Sequence, residues 1–466
     1  MSGDAERQNA GKGLGLIGLV VGLLTGAAVY GIVEFWLDDN DDAPLPYAVL
    51  FFTVTASAAF LLLSERTMIL RAALGALAIA AVFIIPDYHM AGVLGDEHDN
   101  LSDFPALFWL FASRGLVAYL LVTLLKSSLE DGAPPPYRTV FFHGLTLPPI
   151  AAGAGVIAVL ALILLFVWAR LMKEMDVAFF NRLFQEPWFI LPFLGAVGGL
   201  SISLMRAQNA ALGGIRSILL LVCRILMPIA AALTVTFLLL LVTKGVGVVF
   251  ERTFTPAGLL IALAIIGMLL LNGVYQNGEG APPSPWLRLS AVITLIGFPV
   301  YAGLALYAFW LRIEDYGLTP ARIAGLTVNG LVAAYSIVCL AGLLTEANWN
   351  AKRWMPVVAP LNTAFALLWI VVLIAIATPF FNPWAMSANS QYRLLADGKI
   401  AAKDFDFAYL RFQLGRYGEK TLDDLASLSD HPEAQAIRDG VARARAAKSR
   451  WDYEHPETPP PLSGEQ

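Results

Sequence analysis

The chain has 466 residues, of which 58% are hydrophobic and only 14% charged, with a mean hydropathy of +0.66. That balance belongs to membrane proteins and displaces the roughly three soluble domains that length alone would suggest. A formal charge of −5 is small and segregated into loops and a polar tail, which excludes a nucleic-acid surface.

Taken in order, the apolar runs lie at about 13 to 36, 47 to 63, 68 to 85, 105 to 125, 150 to 169, 187 to 205, 219 to 243, 257 to 275, 289 to 311, 323 to 344 and 357 to 379. Each is long enough to cross the roughly 30 Å hydrocarbon core as a helix. The expected fold is therefore all-α, a polytopic transmembrane bundle of about eleven spans with a small helical C-terminal tail outside the membrane. The first run exceeds the apolar region of a secretory signal and reads as a retained helix. Cys223 and Cys339 lie in or beside apolar runs, so no disulfide framework or thiolate metal site is expected.

Short-loop Lys and Arg residues set the orientation. With the N-terminus cytoplasmic, Arg7, Lys12, Arg66, Lys126, Arg138, Arg206, Arg216, Arg288, Lys352 and Arg353 fall inside. The acidic turn Asp38 to Asp42 and the loop Asp96 to Asp103 then fall outside, as does the tail. The segment Lys126 to Arg138, with Pro134 to Pro136, divides a four-span bundle (1–139) from a seven-span bundle (140–379), and an extramembrane tail (380–466) follows. In the tail, Asp430 and Glu433 have the spacing of a capping box, two to four short helices are expected, and the last dozen residues are proline-rich. The run Leu171 to Glu186 suits a helix lying in the interface or capping the bundle.

Charges inside spans need partners, because one at the bilayer centre costs about 2.5 to 3.5 kcal/mol on insertion scales. Arg114 falls near the middle of the fourth run. It reads either as an anion or lipid-headgroup contact, or as an interior side chain bonded to backbone carbonyls or a carboxylate. No Asp or Glu falls near the centre of a run, which argues against proton coupling. Asn272, Thr327, Asn329, Asn362 and Thr363 remain as uncharged ligands, and Pro192, Pro228, Pro299 and Pro360 as helix breaks. His89, Asp96, Glu97, His98 and Asp99 have metal-binding side chains without a recognised spacing, and no metal or other cofactor is expected.

The turn Arg312-Ile-Glu314-Asp315-Tyr316-Gly317-Leu318-Thr319-Pro320-Ala321-Arg322 has clear local physics. Gly317 ends one helix, Thr319 caps the next and Pro320 suits its first turn. The arginines and acids read as an interfacial ion-pair cluster or as an anion-binding corner. Ser390, Gln391 and Arg393 follow the last run closely enough to reach this turn, at Glu314, Asp315 or the uncapped ends of the ninth and tenth helices. This turn, with Pro379-Phe380-Phe381-Asn382-Pro383, Ser387, Ser390-Gln391 and Arg393-Leu394, resembles the bacterial membrane-protein family called domain of unknown function 4153. The resemblance spans roughly Leu145 to Tyr417. It implies a bacterial inner-membrane protein and brings no catalytic residues.

The leading expectation is a non-enzymatic envelope protein embedded in the bilayer. It binds or moves an anionic or lipid-linked ligand, or scaffolds an envelope protein through its tail. Candidate ligand contacts are Arg114, Arg312, Glu314, Asp315, Tyr316, Arg322, Ser390, Gln391 and Arg393. The alternative is a polyprenyl-phosphate-dependent glycosyltransferase using Asp38 to Asp42 as base or metal ligands.

Overall fold

The structure, a computed structural model, describes residues 2–37, 44–65, 68–95, 108–250, 257–280, 282–345 and 354–455. Among the described residues, eleven helices are long and apolar enough to cross a membrane. They are α1 (Gly15–Leu37), α2 (Pro44–Leu63), α3 (Ile69–Val93), α4 (Phe111–Asp131), α5 (Tyr137–Glu174), α6 (Pro187–Ala207), α7 (Ala210–Lys244), α8 (Ala257–Tyr275), α9 (Pro285–Tyr316), α10 (Pro320–Leu344) and α11 (Val358–Ile376). No strand occurs among the described residues. The chain is an all-α integral membrane protein.

Several bounds differ from expectation for physical reasons. Pro148 and Pro149 do not interrupt α5, and the helices also run through Pro192, Pro228 and Pro299. Neighbouring helices and local adjustment tolerate proline in a membrane. Pro360 lies in the first turn of α11, where its missing N–H is not needed. At 38 residues, α5 is about 57 Å long, well beyond the hydrocarbon thickness, so it tilts or projects. The expected helix over 171–186 is instead split. The end of α5 is followed by Asp176 at φ 61° and a short helix Phe179–Leu183. Trp168, Phe180, Phe184 and Phe189 pack there ring against ring.

Inside a bilayer the surrounding lipid is as apolar as leucine, so helices associate by close packing rather than by hydrophobic burial. The α1/α6 pair shows this. Gly18, Gly22 and Gly26 on α1 face Pro192, Gly195 and Gly199 on α6, and a Cβ at Gly22 or Gly195 would overlap a backbone carbonyl oxygen of the other helix. The pairing crosses the 126–138 segment and ties the first span to the sixth.

Among its described residues the tail has α12 (Pro383–Ala396), α13 (Phe407–Gln413), α14 (Gly415–Ala426), α15 (Ala434–Ala446) and α16 (Arg450–Glu454), one more helix than expected. Asn382 caps α12 by accepting from Trp384 N and Ala385 N. The capping box at Asp430 and Glu433 does not form, because the Glu433 carboxylate accepts from Ala402 N at 2.8 Å. Leu395, Phe407, Leu410, Leu422 and Ile437 form a buried tail core that continues into Met90 and Val93 of α3 and Leu373 of α11. The tail is seated on one end of the bundle, here the tail end. The ends of α2, α4 and α6 lie at the opposite, head end.

Replacing Gly22 with leucine is expected to lower stability by about 1–3 kcal/mol or more, the range for overpacking. Gly155→Ala on α5, where a Cβ meets nothing within 4 Å, should leave it unchanged. Detergent-titrated unfolding followed by circular dichroism checks both; equal midpoints for the two variants would contradict the close α1/α6 approach.

Candidate functional site

At the tail end, α3 extends eight residues beyond its expected limit at 85 and takes Asp87 into the helix. Asp87 lies toward the tail end of α3, away from the centre of the span, where no acid was expected. Arg114 lies in the first turns of the helical stretch 108–131 rather than near its middle. Its Nε donates to Asp87 Oδ1 at 2.9 Å and its Nη2 to Oδ2 at 3.0 Å, a bidentate pair. Nη2 also donates to Phe51 O at 3.0 Å and to Thr55 Oγ1. The guanidinium lies 5.0 Å from the Phe51 ring centroid and 4.8 Å from that of Phe83. A carbonyl, a hydroxyl, a carboxylate and two rings thus replace its hydration, and α2, α3 and α4 are joined through it. Of the two roles open to Arg114, this is the structural one.

The turn after α9 forms a second polar cluster. Gly317 has φ 69°, and its N–H bonds to Ile313 O. Thr319 Oγ1 accepts from Arg322 N at 3.2 Å, capping α10 as expected. Ser387 Oγ donates to Leu318 O at 2.9 Å, and Leu318 N donates to Ser390 Oγ at 2.9 Å. Gln391 Nε2 donates to Tyr316 O at 3.0 Å. Arg322 donates to the carbonyls of Tyr316 and Gly317 and lies over the Tyr316 ring. A Cβ at Gly317 would sit 2.6 Å from Leu394 Cδ1, so the close tail approach needs glycine there. Of the expected contacts, the tail therefore makes those to the helix end, through backbone atoms of 316–318. Glu314 and Asp315 are exposed and take no part in these bonds; Arg312 and Arg393 are also exposed.

The head end gathers basic and acidic residues that are scattered among loop charges in the sequence. A cavity of about 420 Å³ lies between the ends of α2, α4 and α6 and the starts of α5 and α7. Lys126 Nζ donates to Leu62 O at 3.2 Å and lies 3.4 Å from Glu65. Arg206 donates to Ser64 O at 2.6 Å and also to Leu61 O. Both cations satisfy carbonyls at the C-terminus of α2, where the helix dipole is negative. The buried His143 bonds Glu130 through Nε2 at 2.8 Å. Arg216 stacks 4.5 Å from the Phe142 ring centroid, with no carboxylate partner among the described residues. Three cations thus face two carboxylates across the cavity.

No family model, curated protein or solved structure matches the chain.

Nearer the head end, at the start of α5 and α11 and the last turn of α8, uncharged side chains expected as ligands bond to one another. Asn272 Nδ2 donates to Tyr335 OH at 3.1 Å, Tyr335 OH to Asn362 Oδ1 at 2.8 Å, and Asn362 Nδ2 to Tyr137 OH at 2.6 Å. Thr327 and Thr363 bond their own helix carbonyls, and Asn329 donates to Ala302 O. No cluster of three or more His, Cys, Asp or Glu side chains is placed for a metal among the described residues. His89 is buried in α3; Asp96, Glu97, His98 and Asp99, like the turn Asp38 to Asp42, lie outside the described residues.

With Cys223 and Cys339 replaced by alanine, the pair Leu318→Cys and Ser390→Cys should form an intramolecular disulfide, and Glu314→Cys with Arg393→Cys should form far less. Gel shift under oxidising and reducing conditions reads this out. No 318/390 crosslink, with both thiols open to labelling, would contradict the docked corner.

Proposed function

We propose that the protein binds the anionic headgroup of a membrane lipid or lipid-linked intermediate in the head-end cavity. The observation that supports this reading most is Arg216. Lys126 and Arg206 are engaged in capping α2, whereas among the described residues the Arg216 guanidinium is held only by the Phe142 ring, and it borders the cavity. A phosphate or carboxylate there would gain a charge-assisted, bidentate contact. Thr146 and Ser203 supply hydroxyl groups on the same lining, and Leu147, Ile150 and Leu212 supply the apolar part that a lipid requires. The cavity lies at helix ends, where headgroups meet the hydrocarbon.

The Lys and Arg distribution supports a cytoplasmic N-terminus, which puts this cavity on the inner leaflet and the tail outside the cytoplasm. Anionic lipids concentrate on that side and attract basic surfaces. The resemblance to domain of unknown function 4153 supports a bacterial inner membrane as the setting. In this reading the protein is a binding protein of the envelope, with the tail fixed to the spans rather than free to swing.

Dihexanoyl phosphatidylglycerol, a soluble short-chain anionic lipid, should bind the detergent-purified protein and raise its melting temperature, and dihexanoyl phosphatidylcholine should not. Arg216→Gln should weaken the anionic lipid about tenfold or more, since a bond to a charged group contributes roughly 1.5–3 kcal/mol. Inorganic phosphate as a competitor separates headgroup recognition from a requirement for the glycerol backbone. Equal response to both lipids, or an unchanged affinity in Arg216→Gln, would overturn the proposal.

A further inference from the structure

A second cavity, of about 430 Å³, lies within the membrane-crossing part of the bundle, lined by α4, α8, α10 and α11. Its walls are helix faces: Leu116 and Leu120 on α4, Ile265 and Leu269 on α8, and Ala366 and Trp369 on α11. Residues three and four apart share a helix face, so the lining runs along the helices rather than across them. On α11 it reaches from Asn362 to Leu373, about 16 Å of helix rise. That is about half of the roughly 30 Å hydrocarbon core, the depth of one leaflet.

Both ends are closed by polar groups that are already partnered. At the head end stand Asn272, Tyr335 and Asn362, whose bonds to one another and to Tyr137 leave little to offer an incoming headgroup. At the tail end Ser113 and Leu373 also line the small space beside the Asp87–Arg114 pair. Water needs two to four polar partners to occupy a site, and this wall does not provide them. An empty volume of this size would forfeit dispersion contacts on every side. The groove also has a mouth. Packing joins α4 to α11, α11 to α10 and α10 to α8, while α4 and α8 have little direct contact, and Leu116 and Leu269 beside that gap are exposed.

We propose that this groove seats one acyl chain of a bilayer phospholipid. The chain enters laterally between α4 and α8 and lies parallel to the helices. The medium at the mouth is itself hydrocarbon, so no headgroup crosses the bilayer and no polar bond has to break. The site is separate from the head-end cavity and does not depend on it: one recognises charge at a helix-end surface, the other recognises the length and shape of a chain.

The test uses the full protein in phosphatidylcholine vesicles doped with a phosphatidylcholine whose acyl chain carries a mid-chain diazirine. After photolysis and peptide mapping, labelling in 265–272 and 365–373 should exceed that on the exposed α5 face at 156–167 at least fivefold. Ala366→Trp fills the groove and should abolish the excess without changing α5 labelling. If that variant does not fold, Leu269→Trp at the mouth serves in its place, since residue 269 is already exposed. Labelling no stronger than on α5, which is ordinary annular lipid, or labelling indifferent to the folded groove variant, would overturn the proposal. A zwitterionic probe keeps the outcome distinct from the anionic-headgroup reading.

Discussion

A guanidinium inside hydrocarbon must find its hydrogen-bond acceptors within the protein, and the way Arg114 does so organises the tail end of this molecule. Its carboxylate partner comes from α3, while a carbonyl and a hydroxyl come from α2. Neither charge is tolerable alone in that setting, but a buried pair satisfied on all sides is. The consequence is positional. Three helices are held in register at the level where the small space beside the pair meets α11 and where the tail core begins. The docked tail and the closed upper end of the acyl-chain groove both sit against this point.

Close backbone approach is the second device, and it acts where no polar contact is present. Facing small residues at four-residue spacing let α1 and α6 approach until their carbonyls nearly meet Cα atoms. At the head end the same problem of unsatisfied helix carbonyls is met differently: Lys126 and Arg206 reach the exposed C-terminus of α2. That use of two cations leaves Arg216, which bonds no carbonyl or carboxylate among the described residues, bordering the cavity, so structural and binding roles divide among neighbouring basic residues.

Much of the architecture was legible from apolar run length, because a hydrocarbon layer permits few alternatives to a helix. The turn at 317–320 was legible too, since positive φ, a hydroxyl cap and an N-terminal proline each require a specific residue type. Asp87 was not. Pro86 followed by an acid resembles the exit from a span, yet α3 continues through both, because its acid has a cation waiting one helix away. The head-end cavity was hidden because its lining comes from five helix ends far apart in sequence; the recurrence of basic residues at Lys126, Arg206 and Arg216 marked only a membrane side. The acyl-chain groove had no sequence signal at all, since Leu, Ile and Trp look alike whether they face lipid or line a gap. In the tail, Glu433 shows why a local pattern fails: its spacing fits a cap, but the Ala402 amide competes for the carboxylate and wins.

The most direct measurement is a double-mutant cycle on Asp87 and Arg114, read by detergent-titrated unfolding of Asp87→Leu, Arg114→Leu and the two combined. Each single change should lose about 3–5 kcal/mol by leaving one buried charge unpartnered. The double variant, with both charges gone, should recover most of that loss, giving a coupling of at least about 2 kcal/mol. Single and double losses that simply add would show that the two residues do not sense each other and would contradict the account of how the bundle and its tail are held together.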